Sequence, residues 1–238
     1  MVKLGKKGSH VGLILSFVIF VTFLLFVFTI LNPAVSEERD KDLAVGLIKE
    51  GLINNLTSNL SVTSLKVHGA TDFEGKDCFQ IDNIFGENVI IKDENGEFVE
   101  GSSSEEDNMI SISHGDKEFF RIFYSSGFLA GAGRGVGECK QLTPEDYTLG
   151  STKINSYVYE ERIYELFEFY DTNYSVLKED LGVSLDNNFG LSFINSLGVD
   201  NPRGFEEFSG NVYIEEILLQ YYDSQANVQS GSIKVRVW

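Results

Sequence analysis

Between Val11 and Leu31 the chain runs for 21 residues without a charge, and no other stretch limits its fold so strongly. The polar members of the run are Ser16, Thr22 and Thr29, whose hydroxyls can return to carbonyls of their own helix. At about 1.5 Å per residue a helix of this length reaches roughly 31 Å, enough to cross the hydrocarbon core of a bilayer. Phe and β-branched residues dominate the run. Lipid tolerates them in a helix because the backbone must satisfy its hydrogen bonds within the segment.

The flanks orient the segment. Lys3, Lys6 and Lys7 precede it with no acid among them, and the mixed-charge Glu37-Glu38-Arg39-Asp40-Lys41-Asp42 follows it. The positive-inside rule predicts a cytoplasmic N-terminus, with everything beyond Pro33 outside. The expected organisation is a basic N-terminus (1–10), a membrane helix (11–31), a stalk helix that packs on the domain (32–60) and an extracytoplasmic domain (61–238). Three fates fit the apolar run: a retained anchor, a helix kept after processing, or an export signal that is removed. A removable signal has an apolar core of about 7–15 residues, shorter than this one, although Ala34-Val35-Ser36 offers it a cleavage site.

Lys6-Lys7-Gly8 before Ser9 resembles the class III signal of archaeal type IV pilins and archaellin-like surface proteins. The resemblance covers about the first thirty residues of the 238. It implies cleavage between Gly8 and Ser9, a mature chain that begins with its hydrophobic helix, and homo- or hetero-assembly with other surface subunits. The acid that the family carries five residues into the mature helix is replaced here by Leu13. Ser9, Gly12 and Ser16 share one helical face, a small-xxx-small pattern that lets helices approach closely in lipid. The same pattern also arises because small residues are common near the ends of membrane helices.

All 36 acidic residues lie beyond Ser36, against 16 of the 19 basic ones, so the exterior part carries a net charge of −20. Such a charge argues against nucleic acid or anionic lipid headgroups as partners, since binding them rests on Lys and Arg neutralising phosphate. The predicted partners are membrane lipid through Val11 to Leu31 and other surface subunits, without nucleic acid. Cys78 and Cys139 are the only cysteines. Both fall outside in the predicted orientation, where two thiols most simply pair. Closing that loop stabilises a domain by about 4 kcal/mol in the chain-entropy model. Sequons at Asn55, Asn59 and Asn173 suit an exterior domain whose host glycosylates.

Hydropathy patterning predicts an α+β fold: one N-terminal transmembrane helix continuing into a packed helix, and a mainly antiparallel β-sheet ectodomain with one further long helix. Leu43, Leu47, Ile48, Leu52, Ile53, Leu56 and Leu60 recur at helical spacing past a kink expected at Pro33, with Gly46 and Gly51 weakening that helix. Strands are predicted at Val62 to Val67, Cys78 to Ile81, Met109 to Ser113 and Glu118 to Tyr124. Asn88 to Val99 reads as a hairpin turning at Asp93-Glu94-Asn95-Gly96. Gly101 to Asn108 reads as an exposed polar loop. Ile163, Leu166, Phe167, Tyr170, Tyr174, Leu177 and Leu181 define the long helix, with Lys178 and several acids mostly opposite and Gly182 as its stop. Strands return at Phe189 to Phe193, Val212 to Tyr222 and Ile233 to Val237, the last two joined by a link over Asp223 to Gly231.

No stretch specifies a reaction. Gly127 to Gly137 has glycines without the spacing of a nucleotide loop and without Gly-Lys-Ser/Thr. Asp93 to Glu97 and Glu105-Glu106-Asp107 lack the alternation of a calcium loop, so solvated turns are expected there. Glu206-Glu207 and Glu215-Glu216 are adjacent acids that would have to gather across a cleft to cleave a glycoside. His68 and His114 are the exterior histidines, and neither stands beside a nucleophile motif. No cofactor, metal or catalytic residue is assigned. The expected function is a membrane-anchored extracytoplasmic structural protein, a pilin-like subunit or minor component of a cell-surface assembly. The alternatives are an anchored binding or adhesion module and, after it, an anchored envelope enzyme.

Overall fold

The computed structural model describes residues 9–69, 71–82, 88–104, 108–129, 138–204 and 212–238; within its first helix, the side chains of 9–11 and 31–39 are left aside. Helix α1, Ser9–Leu56, is a single element of 48 residues, so the apolar run and the stalk are one rod. The kink expected at Pro33 falls where side chains are not described. The helix stops at Leu56 rather than Leu60, and strand β1, Thr57–Val67, follows with no loop between them. A spacing of four is one helical turn and also two strand repeats, so Leu60 fitted the helical pattern while belonging to the strand. Thr57 helps the junction by donating its hydroxyl to the carbonyl of Ile53 at 2.9 Å, a partner for one of the orphan acceptors of the last turn.

The other strands are β2 (Cys78–Asp82), β3 (Val89–Asp93), β4 (Phe98–Val99), β5 (Gly101–Ser104), β6 (Met109–Ser113), β7 (Phe119–Tyr124), β8 (Lys140–Gln141), β9 (Tyr147–Leu149) and β10 (Lys153–Tyr159). Helix α2, Glu160–Asp180, leads to β11 (Phe189–Ile194), β12 (Asp200–Arg203), β13 (Tyr213–Tyr222) and β14 (Val228–Val237). A ten-stranded sheet runs β12-β11-β14-β13-β10-β1-β7-β3-β4, with β9 beside β1, and a four-stranded sheet runs β5-β6-β2-β8. Among the described residues every pairing is antiparallel except β10 with β13 and β2 with β8. The α+β class and the mainly antiparallel sheet are therefore as the hydropathy pattern predicts.

Two sequence expectations fail in the loops. Gly101–Ser104 is not loop but strand β5, paired with β6 from Gly101↔Ile112 to Ser104↔Met109. Its serines carry no apolar alternation because the partner's backbone, not side-chain burial, holds it. The link after β13 is shorter than expected, because β14 begins at Val228 and pairs back with Tyr222.

Apolar residues sort into three clusters. In the first, Ala44, Val45, Ile48, Leu52 and Leu56 of α1 meet Ile163, Phe167 and Leu177 of α2 above Phe189, Leu191, Val235 and Val237 of the sheet. In the second, Phe79, Ile81, Ile110 and Ile112 of the small sheet face Leu65, Ile91, Phe120 and Ile122 of the large one, making a β-sandwich. The third, with Leu60, Ile90, Phe123, Phe128, Tyr159 and Ala226, lies where the two meet. Gly51 lets α1 and α2 close up, since a Cβ there would come 2.5 Å from Leu181 Cδ2.

Helix α2 ends as its sequence suggests. The amide of Val183 donates to Lys178 O and that of Gly182 to Glu179 O, with Gly182 at φ +68°, a Schellman stop. Lys178 departs from the expected polar face. It is buried, and its ammonium donates to Leu185 O at 2.8 Å, so a charge on the inner stripe serves the loop after the helix.

Candidate membrane helix and adjoining surfaces

Among the described residues, one helix is long and apolar enough to cross a membrane: Gly12–Ile30, with a mean hydropathy of 3.0 and none of the span buried in the fold. Such a helix suits a membrane span or an export signal. Thr22 donates to Ile19 O at 2.9 Å and Thr29 to Leu25 O at 3.0 Å, so these hydroxyls are satisfied inside the rod. Gly12 and Ser16 are exposed, and a Cβ at Gly12 would meet no atom within 4 Å. Gly8, half of the expected processing site, lies outside the described residues, as does the side chain of Ser9.

Where α1 enters the fold, a cleft of ≈ 740 Å³ opens against the link from α2 to β11. Asp40, Leu43, Leu47, Gly182, Asp186 and Trp238 are among its lining residues. Leu43 and Leu47 keep much of their surface in solvent, and Leu185 in the same link is almost wholly exposed. Lys41, which also lines the cleft, lays a buried stem against the fold and its ammonium over the Tyr213 ring at 5.9 Å. Further along α1, Lys49 pairs with Glu215 at 2.6 Å.

Cys78 and Cys139 are joined in a disulfide with Cα atoms 4.8 Å apart. The bridge ties the start of β2 to the residue before β8, two strands that also pair in parallel. Asn55, in the last turn of α1, Asn59 in β1 and Asn173 are exposed. Asn59 accepts a hydrogen bond from Ser156 at 2.9 Å, and Asn173 interrupts α2 with φ −136° and ψ 40°.

The sequence-predicted chemical candidates are not brought together. His68 bonds Glu145 O at 2.8 Å and Thr148 Oγ1 at 3.0 Å, while His114 bonds Lys76 O at 3.0 Å and stacks on Phe73. Glu215 and Glu216 are consecutive strand residues and so point to opposite faces; Glu216 accepts from Ser232 at 2.7 Å. Glu105-Glu106-Asp107, Glu206-Glu207 and residues 130–137 of the glycine-rich stretch, Arg134 included, lie outside the described residues. Among the described residues no three of His, Cys, Asp and Glu gather as a metal-ligating set.

The turn after Asp93 is solvated as expected, with Glu94, Asn95, Gly96 and Glu97 all exposed, but its first residue is not. Asp93 is fully buried, and its Oδ1 accepts the amides of Asn95 at 2.9 Å and Glu97 at 2.8 Å. Lys117 closes on the other oxygen. The Lys117 hydrogen bond, then the Glu97 and Asn95 amides, outweigh desolvation and hold the carboxyl below its ordinary range. Asp223 builds the same turn between β13 and β14, with Oδ1 accepting Gln225 N at 2.9 Å and Asn227 N at 2.8 Å. Burial would raise its pKa, but the Gln229 and Asn227 donors win and lower it.

Sequence reasoning also missed Lys92. It follows Val89-Ile90-Ile91 on a strand whose five residues are all buried, because the second cluster covers one face of β3 and the third covers the other. Strict alternation signals a half-buried strand and gives no warning of this case. Comparison with known proteins finds no matching family model, no matching curated protein and no matching solved structure.

Proposed function

We propose that the chain is a single-pass membrane protein with its N-terminus in the cytoplasm and its acidic α+β domain outside, acting as a pilin-like structural subunit of a cell-surface assembly. The single observation that carries this reading is the division of one helix. Gly12–Ile30 is wholly unburied, whereas Ile48, Leu52 and Leu56 of the same rod are fully buried against the sheet. A helix packed on the fold by its distal part leaves the proximal part free to face lipid and neighbouring helices. Lys6-Lys7-Gly8 ahead of the rod supports processing before Ser9, and the disulfide fits an oxidising exterior. The three sequons sit on exposed asparagines, as glycan acceptors would.

Mass spectrometry of the mature N-terminus tests the pilin-like part. A chain that begins at Ser9 is expected, and an intact Met1 would sink it. The rival reading is a monomeric anchored binding or adhesion module. It is favoured by Leu13, where the pilin resemblance calls for an acid, and by the cleft at the base of the rod.

A further inference from the structure

Lys92 is 7 % exposed, and its nitrogen reaches across from β3 to the turn between β13 and β14. There it donates to Ala226 O at 2.9 Å and to Asn227 Oδ1 at 2.6 Å. The other end of the same amide is held too, with Asn227 Nδ2 donating to Asp223 Oδ2 at 3.1 Å. A lysine nitrogen has only donors to offer the amide and a carboxylate only acceptors, so the orientation of Asn227 is fixed by its neighbours. Phe123 lies under the lysine, 5.8 Å from ring centre to nitrogen, and belongs with Ile90, Phe128 and Tyr159 to the buried cluster at this junction. An amine, a carboxamide and a carboxylate thus stand in line at the edge of an apolar core. No ordinary hairpin turn requires this arrangement: the third such turn, at Asn195 to Val199, closes by its own Asn195 side chain and backbone.

We propose that Lys92 and Asn227 join in an intramolecular isopeptide bond, with Asp223 as the proton carrier. The uncharged lysine nitrogen attacks Cγ of Asn227, and a C–N bond forms as the Cγ–Nδ2 bond breaks. The proton lost by the lysine nitrogen passes through the Asp223 carboxylate to Nδ2, which leaves as ammonia. Amine and carboxamide become a secondary amide and ammonia, so atoms and charge balance with no oxidant or added reagent. Burial lowers the pKa of Lys92 and enlarges the reactive amine fraction; Asp223 opposes this, and Arg121, its cross-strand neighbour on β7, adds to it. The product would join positions 135 residues apart and pin the helix-backed part of the sheet to the β-sandwich. This inference needs only an exported, folded domain and does not depend on the pilin-like reading.

The full chain, purified in detergent with its cysteines reduced and alkylated, is digested and sequenced by tandem mass spectrometry. The expected result is a branched peptide joining the Lys92 and Asn227 segments, lighter by one ammonia than the sum of the two. Lys92→Met and Asn227→Ala each abolish it, and Asp223→Asn slows its appearance. In the slow variant, alkaline buffer speeds conversion. Linear peptides carrying intact Lys92 and Asn227 in the wild type, still unlinked after prolonged alkaline incubation, overturn the proposal. Ammonia loss without a branched peptide also counts against it, because cyclisation of an asparagine gives the same mass.

Discussion

Two glycines of α1 show how the surroundings of one residue set the sign of one substitution. Gly46 and Gly51 look alike in sequence, each a weak helix former. At Gly46 an added Cβ meets nothing within 4 Å, whereas at Gly51 it meets Leu181, which is itself buried. Gly46→Ala should therefore stabilise the fold by about 1 kcal/mol, through helix propensity alone. Gly51→Ala should show none of that gain, because the Leu181 side chain has to shift within a packed core. Thermal or denaturant unfolding of the two variants beside the wild type measures the difference, and equal gains would refute the account. Tyrosines show the same dependence on place. Tyr159, on the buried aromatic cluster beside Gly127, has its pKa pushed up to about 12, chiefly by burial. Tyr170 is raised by burial as well and donates to Phe189 O at 2.6 Å, linking α2 to β11.

Among the described elements, three hairpins use one turn. In each, the first residue's Oδ1 accepts the amides two and four positions on, and the fourth residue has positive φ: Gly96 at +82°, Gly198 at +75° and Ala226 at +54°. Asp-Glu-Asn-Gly announces such a turn in sequence, but Asp-Ser-Gln-Ala does so poorly, since Ala is an uncommon choice for that backbone. Asp93 and Asp223 also give the turns a pH response. Their folded pKa values lie below the unfolded ones, so the stabilisation is fully present above the ordinary carboxylate range, about pH 4, and is lost as pH falls through the folded values. Unfolding measured from neutral to acid pH should show this loss. Asp93→Asn should flatten part of the acid limb while keeping the fold, since Asn195 already caps the same turn; an unchanged acid limb would exclude Asp93 as a contributor.

For the whole molecule, the unburied part of α1 and the net charge of −20 beyond Ser36 make a strongly divided chain. In the proposed orientation, protease added to intact cells should remove or clip the region after residue 32 while sparing the membrane segment. Complete protection, with cleavage only after lysis, would reject that orientation. The membrane-crossing length, the α+β class, the α2 stripe, the Asp93 hairpin and the cysteine pairing were all legible in sequence. Each rests on local periodicity, on turn chemistry or on a choice between two thiols. The junction at Leu56, strand β5, the inward Lys178 and the meeting of Lys92 with Asn227 were not legible. They depend on which strand lies beside which, on faces covered from both sides, and on a contact across 135 residues. Hydropathy along a chain records how much of each residue prefers to leave water, whereas only the folded arrangement decides what it meets there.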